Sequence, residues 1–139
     1  MIPALQQLLV LVRRSFPQYL QYSRPYVPAG RASVLETVES IVTDQEVLAE
    51  RISWMLIDAE APPRSGEFPM EYTDLHDLNI EYLINTAIAY QRQDINAIGD
   101  LAEQLQLAPA AKSLNEEALG MAKGHLDSLQ QLVQQPAAS

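Results

Sequence analysis

The chain has 139 residues, 47% of them hydrophobic, which suits one domain with a single core. It contains no cysteine, and this excludes disulfides, thiolate metal sites and cysteine nucleophiles. The formal net charge of -9 opposes binding to phosphate backbones and to anionic membrane surfaces. We therefore expect a single domain over residues 1–139, with neither nucleic acid nor a membrane among its partners.

An apolar run near the start of the chain, LLVLV at residues 8–12, resembles a secretory signal only superficially. Two arginines follow the run and no basic stretch precedes it, which is the reverse of a signal peptide. It is also far shorter than the roughly 20 residues that span a bilayer. We expect a core helix here, in a cytoplasmic protein.

Apolar residues recur every three or four positions in four segments, which predicts an all-α fold. Pro17 lies inside the first segment, where we expect a kink or break. Ser33 and Glu36 open the second with capping-box spacing, and Ser113 and Glu116 do the same near the start of the fourth. The predicted helices cover residues 2–26, 33–59, 74–106 and 109–134.

The connection between the second and third predicted helices, residues 60–73 (EAPPRSGEFPMEYT), is long and rich in proline. At about 3.3 Å per residue it spans some 45 Å when extended. A helix of about 27 residues is roughly 40 Å long. These lengths predict two antiparallel helical hairpins joined by a long crossover. An up-down-up-down bundle with a loose connection is the alternative.

The segment DQEVLAERI, residues 44–52, resembles the second helix of the ferritin-like superfamily, which includes bacterioferritin and rubrerythrin. There, Glu-x-x-His precedes a small residue, an acid and an arginine, and residues 49–51 (AER) match the latter three. The resemblance implies a ferritin-like four-helix bundle with two metal ions held by glutamates and histidines. This chain has Gln45 and Leu48 at two ligand positions and Ala122 three residues before His125. The resemblance therefore implies that the standard di-iron site is lost.

Four side chains are predicted to form a neutral polar layer at the former metal level: Tyr19, Gln45, Gln91 and His125. Each lies near the middle of its predicted helix. Neutral groups avoid the repulsion and desolvation that buried carboxylates suffer without a metal. We expect hydrogen bonds across the core from this layer, and no catalytic, cofactor-binding or metal-binding residue.

Three functions follow from this interpretation. The first is a non-enzymatic ferritin-like bundle, without a cofactor, that acts through protein contacts, since the chain has no phosphate-binding glycine loop and no nucleophile elbow. The second is a divergent metal-binding or oxidative-stress protein that uses His125 with acids such as Glu46 or Asp94. The third is a small-ligand binder whose core site lies between Tyr19, Trp54 and Met121.

The expected partner is a second copy of the chain, and a further protein of unknown identity is the alternative. A second apolar face on the second predicted helix suggests a homodimer. Its residues are Leu35, Val42, Ala49 and Leu56.

Overall fold

Helices supply all the regular structure of the computed structural model, which describes residues 1–75 and 79–135. Within those ranges there is no strand, so the all-α prediction is confirmed. The five α-helices are α1 (Ile2–Arg13), α2 (Phe16–Ser23), α3 (Ala32–Asp58), α4 (Ile80–Asp100) and α5 (Pro109–Gln134). Three 3₁₀ segments accompany them, at Ala29–Arg31, Met70–Leu75 and Leu101–Leu105.

The first predicted helix is two helices. The chain breaks at Arg14 and Ser15, and Pro17 lies in the first turn of α2, where its missing amide hydrogen has no intrahelical acceptor to lose. The expected break is therefore present, but it precedes the proline. The helix ends at Ser23, earlier than predicted, because Arg24 adopts a left-handed conformation with φ of 50° and Pro25 follows.

Both predicted capping boxes are wrong. The 3₁₀ turn Ala29–Arg31 leads directly into α3, so Ser33 lies inside the first helical turn. Its hydroxyl instead donates to Gln135 Oε1 at 3.1 Å. Pro109 is the first residue of α5, a position that its fixed φ favours, so Ser113 also lies within the helix.

The third predicted helix is too long at both ends. The predicted start lies in the 3₁₀ segment Met70–Leu75. Helix α4 begins only at Ile80, where the Asn79 side chain accepts a hydrogen bond from Tyr82 N at 2.9 Å. At the other end, α4 gives way after Asp100 to the 3₁₀ segment Leu101–Leu105.

The helices pack as two hairpins. Helices α1 and α2 lie along α3, and α4 lies along α5, while α3 also contacts α5 and α2 contacts α4. One core cluster joins α1 to the second half of α3, the end of α4 and the first half of α5. The other joins α2 to the first halves of α3 and α4 and the last part of α5. Helices α3 and α4 therefore run in the same direction.

The connection between α3 and α4 follows the outside of the first hairpin. Near its start, Pro62 O accepts from Gln6 Nε2 at 2.7 Å. Further on, Gly66 O accepts from Arg14 Nε at 2.9 Å. Phe68 then packs against Tyr19, with ring centroids 5.4 Å apart. The described part of the connection thus leaves the end of α3 and passes α1 and then α2.

Burial tests two expectations about helix faces. The apolar run at residues 8–12 is core helix as predicted, since Leu8 is fully buried. The proposed second face of α3 is wrong: Val42, Ala49 and Leu56 are at most 2% exposed, because α3 packs against three other helices. Leu35 alone of that set is exposed. Among the described residues, no helix is long and apolar enough to cross a lipid bilayer.

Candidate functional site

A polar layer separates the two core clusters, at the level where α1 ends and α2 begins. Ser15 lies in this break and is 2% exposed. Its hydroxyl accepts from Gln18 N at 3.4 Å, capping α2, and donates to Gln45 Oε1 at 2.9 Å. The break in the first predicted helix thus provides the hydrogen-bond partner of Gln45 on α3.

Gln91 enters the same layer from α4. It is 2% exposed, and its Nε2 donates to Ala122 O on α5 at 3.0 Å. Its Oε1 is fully buried and accepts no hydrogen bond from the described residues. Such an unpaired acceptor costs roughly 1 to 3 kcal/mol in a folded protein.

His125 completes the layer from α5. It is 7% exposed, and its Nε2 lies 2.8 Å from Asp44 Oδ2 on α3. The Asp44 side chain is 50% exposed, so the pair joins the buried layer to solvent. Asp44 therefore faces α5 across the helix pair.

A small cavity lies between these side chains. It has a volume of about 20 Å³, and its polar wall is formed by Gln45, Gln91, His125 and Asp94. A space of this size holds a single water-sized species. The Asp94 carboxylate makes no hydrogen bond or ion pair with any described residue, and burial raises its pKa to about 7.

Outside this cavity, a cleft of about 450 Å³ runs between α3 and α5. The cleft is lined by Glu36, Thr37, Ser40, Ile41, Asp44, Met121, Gly124, His125 and Ser128. The His125 side chain contributes to both the cleft and the inner cavity. It therefore lies between the inner carboxylate of Asp94 and the outer carboxylate of Asp44.

Tyr19 does not belong to the layer, contrary to expectation. It packs among aromatic rings in the second core cluster, with centroid distances of 6.2 Å to Phe16 and 5.5 Å to Tyr72. The break before α2 resets the helical phase, so a residue placed by one continuous period falls elsewhere. The remaining three, Gln45, Gln91 and His125, share the cavity but make no hydrogen bonds with one another.

The family ligand positions are apolar or neutral in the folded chain. Leu48 and Ala122 are 2% and 7% exposed, and both belong to the first core cluster. Among residues 1–75 and 79–135, no group of three or more histidine, aspartate and glutamate side chains is arranged to hold a metal ion. Sequence reasoning missed Ser15 and Asp44 as members of this site, and it named Asp94 only as a ligand of the alternative metal site. Asp44 and Asp94 lie near Gln45 and Gln91 in the chain, just off the apolar stripes.

A second surface feature is a groove of about 500 Å³ between the C-terminal end of α3 and the start of α5. We call it the Trp54 groove; its lining is Arg51, Trp54, Met55, Asp58, Ala110, Ser113 and Leu114. Trp54 is 58% exposed, so the expected core site between Tyr19, Trp54 and Met121 is wrong. At the groove edge, the Arg51 guanidinium binds both carboxylate oxygens of Glu117, at 2.6 and 2.9 Å.

No family model, curated protein or solved structure matches this chain. The ferritin-like resemblance therefore depends on the residues quoted above. The geometry of the polar layer and of the Trp54 groove is what bears on function.

Proposed function

We propose that this protein is a non-enzymatic, ferritin-like helical bundle that acts through protein contacts made at the Trp54 groove. The observation that carries the proposal is the exposure of a large aromatic side chain beside a groove of about 500 Å³. Tryptophan is enriched among the residues that dominate binding energy at protein interfaces.

The interior supports the non-enzymatic part of the proposal. The central polar groups surround a cavity of about 20 Å³. Sites for small molecules are typically clefts of about 300 to 1,000 Å³. An organic substrate does not fit in this inner cavity beside Gln91 and Asp94 without rearranging the core. The outer cleft of about 450 Å³ is large enough for one, but of the groups around the polar layer only His125 and Asp44 line it.

The packing supports the ferritin-like arrangement. Two helical hairpins lie against each other, and the connection passes along α1 and α2 between helices α3 and α4 that run in the same direction. A crossover of this kind distinguishes a ferritin-like bundle from an up-down-up-down bundle.

The same proposal covers the surroundings in which the protein works. Its net charge of -9 disfavours nucleic acid and anionic lipid as partners. The apolar run of α1 is packed in the core. A cytoplasmic location is part of the proposal.

A photo-crosslinking experiment tests the proposal in the host cell. We expect a photoreactive amino acid at position 54 to capture protein after irradiation. The matched control is the same substitution at Tyr82 on α4, whose side chain is 53% exposed and lies outside the groove. Equal capture at both positions, or none at position 54, would contradict the proposal.

A second candidate function, a divergent metal-binding or oxidative-stress protein, is favoured by one observation. His125 and Asp94 line the same cavity, and the Asp44 carboxylate lies 2.8 Å from Nε2 of His125, which leaves Nδ1 as the ring nitrogen for a metal ion. Metal-binding histidines commonly donate their second ring nitrogen to a carboxylate. Glu46 is exposed and does not line this cavity, so Gln91 Oε1 is the third available ligand atom.

Elemental analysis after incubation with Zn²⁺, Mn²⁺ or Fe²⁺ separates the two candidates. The second predicts about one ion per chain, lost in both Asp94→Asn and His125→Gln and retained in Glu46→Gln. Metal content near zero in the wild type, or equal content in all four proteins, favours the first candidate.

A further inference from the structure

The Trp54 groove has the form of one side of a symmetric contact. On α3, the side chains of Arg51, Trp54, Met55 and Asp58 follow one another at spacings of three, one and three residues, which places them on one face of the helix. Val47, one turn before Arg51, is 57% exposed and extends this face. Helix α5 supplies the opposite wall.

The charges in the groove favour a second copy of the chain as its occupant. Two chains with a net charge of -9 repel each other over most of their surfaces, so a contact between them needs a face where opposite charges meet. The Trp54 groove has such a face. Arg51 and Asp58 lie two helical turns apart, with Trp54 and Met55 midway between them.

This spacing fits a two-fold axis. If two α3 helices cross antiparallel about the midpoint between residues 54 and 55, Arg51 of each copy faces Asp58 of the other. Trp54 then faces Met55. In an isologous contact each pairing occurs twice, so one charge pair in the sequence gives two ion pairs in the dimer.

We infer that the Trp54 groove binds a second copy of this chain, with the two α3 helices antiparallel across a two-fold axis. The inference rests on the proposed function and names its partner. Trp54 of each copy enters the apolar part of the other's groove, against Met55 and Leu114. Arg51 bridges Glu117 of its own chain and Asp58 of the second copy.

Sedimentation velocity of the full chain over a range of micromolar concentrations tests the inference. We expect a concentration-dependent dimer in the wild type and a monomer in Trp54→Glu, because a carboxylate would be buried in the apolar part of the contact. Trp54 is exposed in the single chain, so its replacement leaves the fold intact, which circular dichroism checks. Tyr82→Glu, at a side chain 53% exposed on α4, is the control and remains a dimer.

A charge swap tests the register of the two helices. Arg51→Asp and Asp58→Arg should each raise the dimer dissociation constant about tenfold, because each turns two attractive pairs into like-charge contacts. With Glu117→Gln in the background of every variant, so that the new carboxylate at position 51 has no like charge beside it in its own chain, the combination of both substitutions should recover most of the affinity. If the dissociation constant of the combined variant rises by the product of the two single fold-increases, the antiparallel register is overturned.

The outcomes also separate this inference from the proposed function. A wild type that is monomeric throughout, or a dimer unchanged by Trp54→Glu, overturns the inference. If position 54 then still captures a different protein in the cell, the proposed function stands with another occupant, such as a basic helix. If position 54 captures nothing, both fail.

Discussion

Asp94 is an acid whose protonation depends on the fold. Its carboxylate faces the central cavity beside Gln91, and burial raises its pKa to about 7. The folded chain therefore keeps a proton on Asp94 at pH values where the unfolded chain has released it. Between about pH 4 and pH 7 the free energy of unfolding falls as pH rises, and above pH 7 this loss is complete.

We expect Asp94→Asn to stabilise the protein at pH 8, by on the order of 3 kcal/mol, and to change it little at pH 4. The neutral amide avoids the desolvation that the buried carboxylate suffers. Urea unfolding of the wild type and the variant at pH 4, 6 and 8 measures this. Glu46→Gln, which removes an exposed acid from α3, is the control and should leave the difference between pH 6 and pH 8 unchanged. An Asp94→Asn variant that loses stability with pH as the wild type does would contradict the assignment.

The polar layer was predictable only at the positions that helical periodicity places. Gln45, Gln91 and His125 interrupt apolar stripes, and the regular period of 3.6 residues puts such interruptions inside the core. Asp44 and Asp94 are adjacent to those stripes rather than on them. Whether such a residue faces a neighbouring helix depends on the rotation of each helix about its axis. That rotation is set by packing between helices and cannot be deduced from the sequence of one helix.

At the scale of elements, the junction of α1 and α2 joins local and tertiary structure through one hydroxyl. Ser15 caps α2 and also satisfies the buried carbonyl of Gln45. Its removal therefore affects a helix end and the central layer together. The other candidate cap, Ser33, contacts Gln135 at an exposed position.

We expect Ser15→Ala to lower the free energy of unfolding by about 2 to 4 kcal/mol, because a cap contributes about 1 kcal/mol and an unpaired buried acceptor costs a further 1 to 3. Ser33→Ala is the matched control, with an expected loss below about 0.5 kcal/mol. Chemical denaturation of both variants provides the comparison. Equal losses would show that Ser15 does not link α2 to Gln45.

The two longest helices were the most predictable elements, and the short ones were the least. Helices α3 and α5, of 27 and 26 residues, have apolar periods long enough to identify, and their ends lie within one or two residues of the predicted ones. The capping boxes misled because a proline and a 3₁₀ turn started these helices earlier. The division of the first helix at Ser15 rather than at Pro17 depends on the contact with Gln45, which is tertiary.

At the scale of the whole molecule, one buried arginine joins the ends of three helices. Arg31, at the start of α3, is 3% exposed, and its Nε lies 2.7 Å from Glu81 Oε1, an ion pair without hydrogen-bond geometry at that nitrogen. Its terminal nitrogens donate to Leu132 O at 2.8 Å and to Gln135 O at 3.3 Å. The first and second hairpins are thereby tied at one end.

We expect Arg31→Ala to cost roughly 2 to 4 kcal/mol of stability, since two carbonyls lose their charged donor while Glu81 keeps access to solvent. Glu81→Gln should cost much less, because the Glu81 side chain is 56% exposed and Arg31 retains its carbonyl contacts. Thermal unfolding of the two variants tests the difference. Similar losses in both would mean that the ion pair, rather than the carbonyl contacts, holds the hairpins together.

The length of the proline-rich connection allowed a path along a helix of about 40 Å but left the up-down-up-down alternative open. The path is seen only in the contacts of residues 62, 66 and 68 with the first hairpin. The burial of Arg31 was not predictable from the sequence, because a position next to a glycine in a loop is typical of an exposed residue. A charge is buried here because helix ends converge on it.

The crossover also constrains how this protein can change in size during evolution. Pro62 and Arg64 are hydrogen-bonded to Gln6 of α1, and Gly66 is hydrogen-bonded to Arg14 just after that helix. This part of the crossover therefore has no spare length beside the first hairpin. One added turn in each long helix lengthens the molecule by about 5.4 Å, and an extended connection covers that distance with about two residues. Insertions of four residues in the helices should therefore be inherited together with insertions of about two in the crossover. A relative with only one of these changes would need a different path between α3 and α4.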